Sequence, residues 1–504
     1  MLKRGMIAVA LAGIAAGAAY SAIDGEAKPY ATSLVSQYET SVVMSVGDTV
    51  PMTGAAGKEF QMVGIPDGMG IRAHKDGGST LWLNQEMSSS KESEPVLGDP
   101  RYRGAFVSLY EMEKDGTVVS GKPAYDTVYV NDEKVGPPAM VGNDTRAFSR
   151  FCSAMLAGRA EGLDRDIFFT NEEDGNPETS FDGKGSLTVA IFDGQAHGLP
   201  ALGHLPAENS VVQSNRHGNR TVILLTEDGP ATTDPAVENS QLYMYVGTKQ
   251  RRKGATVLER NGLVGGTLYV FKAKHGATVK EFQSGSIEGE WVAIDGAADM
   301  DQAQLEAASD AVGAMPLARP EDGAFNPHNS RQFFFNTTGG DDEANALGRT
   351  HTLDLGLNPL SDPVLTVVTN ADADTARGVD GPMSQDNIGV SNEYVMLQED
   401  GTSQSRKVMG ERGRDGSIWR FNLMKGGTGI DAASRVRVAE LDPPGRDGAE
   451  VGPGEWESSG IIATDASFGK GSWLFNVQAH SPTVAPGVNT VEDGQLLILK
   501  PVAS

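Results

Sequence analysis

The sequence predicts an all-β protein of the β-propeller class. The chain contains 62 Gly and 25 Pro among its 504 residues, which indicates many turns and short elements. Short strand-like runs closed by turn residues recur along it, among them "STLWLNQE", "SLTVAIFDG" and "GSWLFNVQAH". So many strands exceed what a single sandwich holds, and radial repetition in a propeller accommodates them better. The chain shows no exact sequence repeat, so these runs alone leave the number of blades open.

The individual runs justify the strand prediction. Many alternate large apolar residues with small or polar ones, which is the period-two pattern of a sheet. Asp-Gly pairs in "EMEKDGTV" and "IFDGQ" indicate hairpins between strands. One helix is predicted over residues 299–315, with Asp299 as its N-cap and an end near Gly313 and Pro316. We therefore expect one propeller domain over residues 23–504, with short helical insertions.

The first 22 residues have the features of a secretory signal peptide. Lys3 and Arg4 precede an apolar run, and Ala19-Tyr20-Ser21 fits a cleavage site with small residues. A transmembrane anchor is the alternative, but the run is short and rich in Ala and Gly. We therefore expect a periplasmic or secreted protein.

The charge balance restricts the partners. Lys and Arg number 42 against 67 Asp and Glu, which gives a formal net charge of −25. Nucleic acids and anionic membranes carry the same sign of charge and are disfavoured. The balance suits a soluble, cation-binding protein, although an acidic surface that serves solubility explains it almost as well. We expect a monomer that binds no nucleic acid.

The single cysteine, Cys152, excludes an internal disulfide. We interpret it as a small buried hydrophobe, because a catalytic thiol would need a nearby His and an electropositive site, and the sequence shows neither. The chain also lacks the HExxH, CxxC, GxSxG and GxxxxGK[ST] patterns. Zinc sites, serine nucleophiles and phosphate-binding loops of those kinds are therefore not predicted.

Acidic residues accompany many of the strand-like runs. They are Glu86, Glu172, Glu173, Asp174, Glu208, Glu227, Asp228, Glu321, Asp322, Asp386, Glu399 and Asp400. In a propeller, equivalent strand ends converge on one rim of the central channel, where carboxylates repel one another unless cations lie between them. Oxygen ligands in this number suit Ca2+ or a hard ferric ion. Each cluster taken alone is also good turn chemistry, and only the repetition favours metal.

The order of these motifs resembles the PhoX-type alkaline phosphatases, a family of exported β-propellers. "LWLNQE", "FFTNEEDG", "LGHLPAEN", "RPEDGAFNP", "QDNIGV" and "VMLQEDG" occur in the family's order, from about residue 60 onward. The resemblance implies a propeller that is most often six-bladed, with an iron and calcium cluster at one channel end. It also implies that carboxylates hold the ions and that an Arg holds the phosphate ester.

The resemblance nominates site residues position by position. The nominated metal ligands are Glu86, Glu172, Glu173, Glu208, Glu321, Asp322, Asp386, Glu399 and Asp400, with Glu457 of "WESSG" as a further candidate. Arg319 of "RPED" is the candidate catalytic residue, although it could instead pair structurally with Glu321 or Asp322. Asp341 and Asp342 are expected to be solvated turn residues.

Three positions depart from the family pattern. Asn171 replaces the Cys of the family's "TCEE", and Gln85 and Ala207 replace two His. Losing a thiolate would weaken a ferric site, so a calcium-only site and a loss of phosphatase activity both stay open.

The leading hypothesis is a metal-dependent phosphoric-ester hydrolase acting on a small phosphate ester outside the cytoplasm. Ca2+ is the first candidate ion and Fe3+ the second. One alternative is a non-catalytic, calcium-stabilised propeller that binds a surface or a partner. Another is a different metal-assisted hydrolase on the same scaffold.

Overall fold

The structure is a computed structural model that describes residues 28–215, 218–229, 240–275, 282–340, 345–424, 426–442, 451–480 and 490–502. The predicted signal peptide, Asp341 and Asp342 lie outside these ranges. Within them, no helix combines the length and apolar character that crossing a membrane requires.

Strands account for most of the regular structure. The first half contains β1 (Ala31–Ser33), β2 (Tyr38–Ser45), β3 (Thr49–Pro51), β4 (Glu59–Gln61), β5 (Pro66–Ala73), β6 (Ser79–Gln85), β7 (Glu92–Ser93), β8 (Tyr102–Arg103), β9 (Phe106–Met112), β10 (Val118–Pro123), β11 (Thr127–Val130), β12 (Glu133–Gly136), β13 (Phe151–Ala157), β14 (Ile167–Glu172), β15 (Thr188–Phe192), β16 (Gln195–Gly198), β17 (Ala207–Val212) and β18 (Arg220–Glu227). The second half contains β19 (Leu242–Thr248), β20 (Thr267–Ala273), β21 (Ser286–Ala293), β22 (Pro320–Asn326), β23 (Asn329–Thr337), β24 (Arg349–Asp354), β25 (Val364–Asn370), β26 (Gln385–Val390), β27 (Tyr394–Glu399), β28 (Ser417–Leu423), β29 (Ile430–Leu441), β30 (Glu457–Ala463), β31 (Trp473–Gln478) and β32 (Gly494–Pro501).

The helices are short insertions between strands. They are α1 (Val257–Arg260), α2 (Gln302–Val312), α3 (Ala371–Ala376), α4 (Ser403–Arg412) and α5 (Asp465–Phe468), with 3₁₀ turns at Pro200–Leu202 and Ala297–Asp299.

The strands form the six blades of a propeller, which confirms the predicted fold class. Blades 1 to 3 are β5-β6-β9-β10, β13-β14-β15-β16 and β17-β18-β19-β20, and blades 4 to 6 are β22-β23-β24-β25, β26-β27-β28-β29 and β30-β31-β32-β2. Strand β21 pairs with both β20 and β25, which joins the outer edges of blades 3 and 4. The innermost strands β5, β13, β17, β22, β26 and β30 contact one another in sequence, and β30 returns to β5.

The ring is closed by strands from opposite ends of the chain. Strand β2 is antiparallel to β32, with Tyr38 opposite Pro501 and Ser45 opposite Gln495. Blade 6 therefore combines one strand from residues 38–45 with three from residues 457–501. This pairing ties the last blade to the first part of the chain without a disulfide.

Apolar side chains fill the spaces between blades. Leu83, Tyr110 and Phe168 belong to a cluster that joins blades 1 and 2, and Leu224 and Phe333 belong to one that joins blades 3 and 4. Each such side chain contributes about 1.5–3 kcal/mol when it is fully buried. The packed blades hold the six inner strands at fixed distances around the channel.

The predicted helix over residues 299–315 exists as α2, but it begins later. Asp301, not Asp299, is the N-cap, because its side chain accepts a hydrogen bond from the backbone N–H of Gln304. Asp299 ends a separate 3₁₀ turn. The helix ends at Gly313, as predicted, where φ is 80°.

Candidate metal centre

The six inner strands share a local irregularity at one end of the channel. Each has a shift in pairing register near its start, and these lie between Pro66 and Met69, Phe151 and Ala154, Ala207 and Asn209, Pro320 and Gly323, Gln385 and Ile388, and Ser459 and Ile461. A β-bulge frees residues from the ladder and re-aims their side chains. All six strands therefore release side chains at the same end of the propeller.

The bulges carry ligand-type side chains. Asp67, Cys152, Glu208, Glu321 and Asp386 each lie inside one of these register shifts. Blade 6 contributes the first residue of its inner strand, Glu457. Every inner strand thus offers one carboxylate or thiol to the channel end.

The second strands of three blades add further carboxylates. Glu86, Glu173 and Asp400 directly follow β6, β14 and β27, on the antiparallel neighbours of the inner strands. They are therefore at the same end of their blades as the bulges.

These side chains converge into four overlapping groups whose ligand atoms lie within 4.8 Å of one another. The groups are Asp67, Glu86 and Cys152; Cys152, Glu173 and Glu208; Glu208, Glu321 and Asp386; and Asp386, Asp400 and Glu457. Because Cys152, Glu208 and Asp386 each belong to two groups, the nine side chains form one continuous arc. We call this set of eight carboxylates and one thiol the acid arc.

The electrostatics of the acid arc favour bound cations. Burial raises the pKa of Glu208 to about 8, with the charges of Asp322 and Asp228 adding to the effect. Burial, followed by the charge of Asp400, raises the pKa of Glu457 to about 7. Among the described residues, neither Asp67 Oδ1 nor Asp386 Oδ1 has a hydrogen-bond partner. Buried carboxylates of this kind fit metal ions, which supply both the charge and the missing partner.

Two guanidinium groups lie beside the acid arc. Arg319, the sequence-predicted catalytic residue, donates from Nε and Nη2 to the two oxygens of Asp228, at 2.8 and 3.1 Å. Its Nη2 also lies 3.3 Å from Glu321 Oε1. The sequence left open a structural pairing of Arg319 with Glu321 or Asp322. The structure pairs Arg319 with Asp228 and Glu321.

Arg150 is the second guanidinium, and no sequence pattern indicated it as a site residue. Its Nη2 lies 3.0 Å from Glu173 Oε2 and 3.2 Å from Glu86 Oε1. Nearby carboxylates, with Glu173 and Glu86 foremost, raise the pKa of Arg150 further above its usual range. The guanidinium is therefore a permanent positive charge.

Three of the sequence-predicted ligands are placed outside the acid arc. Glu172 Oε1 accepts hydrogen bonds from the backbone of Ser149 and Phe181, at 3.0 and 2.9 Å. Asp322 Oδ1 accepts one from Asn209 Nδ2 at 2.6 Å.

The third is Glu399. It accepts hydrogen bonds from Arg414, at 2.7 and 2.9 Å, and from Trp419 Nε1 at 3.0 Å. Glu172, Asp322 and Glu399 therefore hold neighbouring segments of the blades together. Protein N–H groups donate the hydrogen bonds that they accept.

The remaining nominated residues lie in the acid arc, and two members were not nominated. Asp67 stands alone in "GIPDGMG", without the acidic neighbour that marked the other clusters. Cys152 is buried, as we expected, but the interpretation as a simple hydrophobe was incomplete because its Sγ lies among carboxylates. Burial, followed by the charge of Asp67, raises the pKa of its thiol well above the usual value. A bound cation would reverse that effect and favour the thiolate.

A six-bladed propeller with carboxylates and a thiol converging at one end of its channel is a scaffold for metal-dependent chemistry. The family model described as alkaline phosphatase PhoX matches residues 194–451, which is about half of the chain. The chain belongs to this family and is a metal-dependent phosphoric-ester hydrolase. The matched residues include Glu208, Arg319, Glu321, Asp386 and Asp400.

Solved structures share the fold. PhoX of Pseudomonas fluorescens, in complex with the transition-state analogue vanadate, is 15% identical, with a TM-score of 0.62 and coverage of 92% of this chain and 95% of that one. NanB sialidase of Streptococcus pneumoniae is 9% identical, with a TM-score of 0.34 and coverage of 92% and 70%, and this similarity is too weak to bear on function. No curated protein matches the chain.

Proposed function

We propose that this protein is a phosphomonoesterase of the alkaline phosphatase type, acting on small phosphate monoesters at the acid arc. The observation that carries the proposal is the convergence of nine ligand-type side chains from all six blades, with Arg319 beside them. Family membership supports the reaction class, and the geometry supports the choice of residues.

The ligand set supports calcium and iron together. Carboxylate oxygens are the ligands that Ca2+ prefers, and the acid arc offers eight such side chains. The thiol of Cys152 is a softer donor and favours an iron ion over calcium. We therefore propose Ca2+ and Fe3+, with the iron held near Cys152.

The replacement of the family's Cys by Asn171 does not remove the thiol from the site. Asn171 Oδ1 accepts hydrogen bonds from Ser210 Oγ at 2.6 Å and from Thr188 Oγ1 at 2.9 Å. Its amide donates to the backbone oxygen of Glu208 at 3.3 Å. Asn171 thus fixes β14 against β17, and Cys152 on the adjacent inner strand supplies the sulfur.

The residues of the chain have distinct parts in the proposed reaction. When bound, the cations would withdraw charge from the phosphoryl oxygens and favour attack at phosphorus. Arg319 is anchored by Asp228 through Nε and Nη2, and none of these contacts uses Nη1. With 35% of its side chain exposed, Arg319 can donate to a phosphoryl oxygen while it stays anchored.

The test is hydrolysis of p-nitrophenyl phosphate by the metal-replete protein, with and without a chelator, alongside metal analysis. We expect turnover that the chelator abolishes and that Ca2+ with Fe3+ restores. Chelator-sensitive melting without turnover would replace the proposal with a calcium-stabilised binding propeller. If neither melting nor turnover responds to chelator, the metal assignment is wrong.

We also propose that the protein works in the periplasm or is secreted. The proposal rests on the basic and apolar pattern of residues 1–22. Amino-terminal sequencing of the protein from cell fractions tests it. A protein that retains Met1 in the cytoplasmic fraction would contradict it.

A further inference from the structure

Arg150 and Arg319 occupy equivalent places in two blades. Each immediately precedes an inner strand, β13 in blade 2 and β22 in blade 4. The residue at this place has a positive φ in four blades: 36° at Ile65, 50° at Arg150, 55° at Arg319 and 44° at Ser384. The left-handed residue is thus a feature of the fold, and in blades 2 and 4 it is an arginine.

The contacts of the two arginines are also equivalent. Each guanidinium bridges two carboxylates: Arg319 contacts Asp228 and Glu321, and Arg150 contacts Glu173 and Glu86. In both cases one partner, Glu86 or Asp228, directly follows the second strand of the preceding blade. The two side chains therefore reach the same end of the channel from either side of blade 3.

Asp228 of blade 3 connects the two arginines. Its two oxygens accept hydrogen bonds from Nε and Nη2 of Arg319, at 2.8 and 3.1 Å, and the charges of Glu173 and Arg150 also act on it. The charged groups therefore alternate in sign along a row. Glu86 comes first, then Arg150, then Glu173 together with Asp228, then Arg319, and last Glu321. Both arginines lie within one alternating row beside the acid arc.

The exposure of Arg150 distinguishes it from a structural ion pair. In this molecule Arg414 and Glu399 form such a pair, with side chains only 2% and 0% exposed. Arg150 keeps 48% of its side chain exposed, although Glu86 and Glu173 are each 9% exposed. Its contacts to these carboxylates use Nη2, which leaves Nε and Nη1 outside them.

We propose that Arg150 is a second phosphate-binding residue, which contacts the phosphoryl group of the substrate opposite Arg319. The inference rests on the proposed phosphomonoesterase function and adds a residue to it. A monoester dianion presents three peripheral oxygens, so two guanidiniums in different places can each donate to it. A phosphodiester carries one charge fewer and has one of these oxygens esterified. The pair therefore selects monoesters over diesters.

The experiment compares Arg150→Gln and Arg150→Lys with the wild type. Arg72→Gln is the matched control, since Arg72 pairs with Asp166 on the surface and the two side chains are 42% and 40% exposed. The measurements are kcat and KM for p-nitrophenyl phosphate, inhibition by orthophosphate, metal content and melting temperature. The same variants are assayed with bis(p-nitrophenyl) phosphate.

We expect Arg150→Gln to weaken orthophosphate inhibition and raise KM by about 10- to 100-fold, the loss expected for a charge-assisted hydrogen bond. Arg150→Lys should recover part of this, because an ammonium keeps the charge but lacks the fork. Monoester activity should fall more than diester activity. Metal content and melting temperature should stay at wild-type values, and Arg72→Gln should change none of the measurements.

Two results would overturn the inference. One is unchanged orthophosphate inhibition in Arg150→Gln. The other is weaker inhibition that comes with a loss of bound metal and that added metal restores to the wild-type level. Arg150 would then serve only to position Glu86 and Glu173. If the wild type hydrolyses no phosphate ester, the proposed function fails separately. Calorimetric titration of wild type and Arg150→Gln with orthophosphate then decides the role of Arg150: weaker binding supports it, and equal binding or none overturns it.

Discussion

The thiol of Cys152 lies 3.1 Å from Asp67 Oδ2, across the inner strands of two neighbouring blades. Gly68, next to Asp67, permits this approach, because a Cβ there would lie 2.5 Å from backbone atoms of Cys152 and Ala154. A sulfur and a carboxylate are thereby joined at one end of the acid arc, where Glu86 completes the group.

This relationship predicts that Cys152 determines the iron content. Replacing Cys152 by Ser removes the soft ligand and keeps a similar volume. We expect the iron content and the phosphatase rate each to fall by about 10-fold or more, with calcium retained. Elemental analysis and p-nitrophenyl phosphate assays check this. Asn171→Ala is the matched control and should keep its iron, and an iron content that survives Cys152→Ser would refute the sulfur assignment.

A second prediction concerns Glu208, which belongs to two of the four groups. Glu208→Gln keeps the shape but halves the oxygen donors and removes the charge. We expect bound metal to fall by at least one ion per chain and kcat/KM to fall about 100-fold or more, since both groups lose a ligand. Glu161→Gln, outside the acid arc, should match the wild type. Full metal occupancy in Glu208→Gln would show that the carboxylate is not a ligand.

The sequence carried enough information to locate most of this site. Repeated acids beside strands indicated converging carboxylates, because strand ends of a propeller meet at one rim. The sequence could not tell which member of an acidic pair enters the channel. In "NEED", Glu172 accepts hydrogen bonds from the backbone, while the next residue, Glu173, lies in the acid arc. In "QED", Glu399 accepts hydrogen bonds from Arg414, while the next residue, Asp400, lies in the acid arc. Successive side chains of a strand point to opposite faces, so the pairing register decides between them.

Asp67 and Arg150 show what a sequence cannot supply. Asp67 has no acidic neighbour, and its place depends on a bulge that only strand pairing reveals. Arg150 itself has the left-handed conformation, at the position before β13. A sequence indicates that conformation only where the residue is Gly, Asn or Asp. The role of each position becomes visible only when it is compared with the equivalent positions of the other blades.

A third prediction separates structural acids from ligands. Glu399→Gln would remove the buried carboxylate that accepts from both Nη atoms of Arg414, and would leave only Asp380, 3.3 Å from Nε, as its charged contact. Breaking a buried pair in this way costs about 3–5 kcal/mol of unfolding free energy. We expect denaturant unfolding to show this loss while metal per folded chain stays constant. Arg72→Gln, at an exposed pair, should cost less than about 1 kcal/mol. If Glu399→Gln instead loses metal without losing stability, Glu399 is a ligand after all.

The last prediction follows from the competition between protons and cations for the acid arc. Glu208 and Glu457 have folded pKa values of about 8 and 7, raised by burial from the usual 4.5. Between pH 4.5 and 8 the metal-free folded protein therefore binds protons that the unfolded chain does not. Its stability accordingly falls as the pH rises through this window.

Bound cations displace these protons, so the stabilisation by metal should grow over the same range. We expect the difference in melting temperature between Ca2+-saturated and chelator-treated protein to increase steadily from pH 5.5 to 8.5. The double variant Glu208→Gln/Glu457→Gln lacks both titrating groups, and its chelator-treated form should lose less stability across these pH values than the chelator-treated wild type. A difference that is the same at every pH would mean that the acid arc is already ionised without metal, and that its charges are balanced by the protein itself.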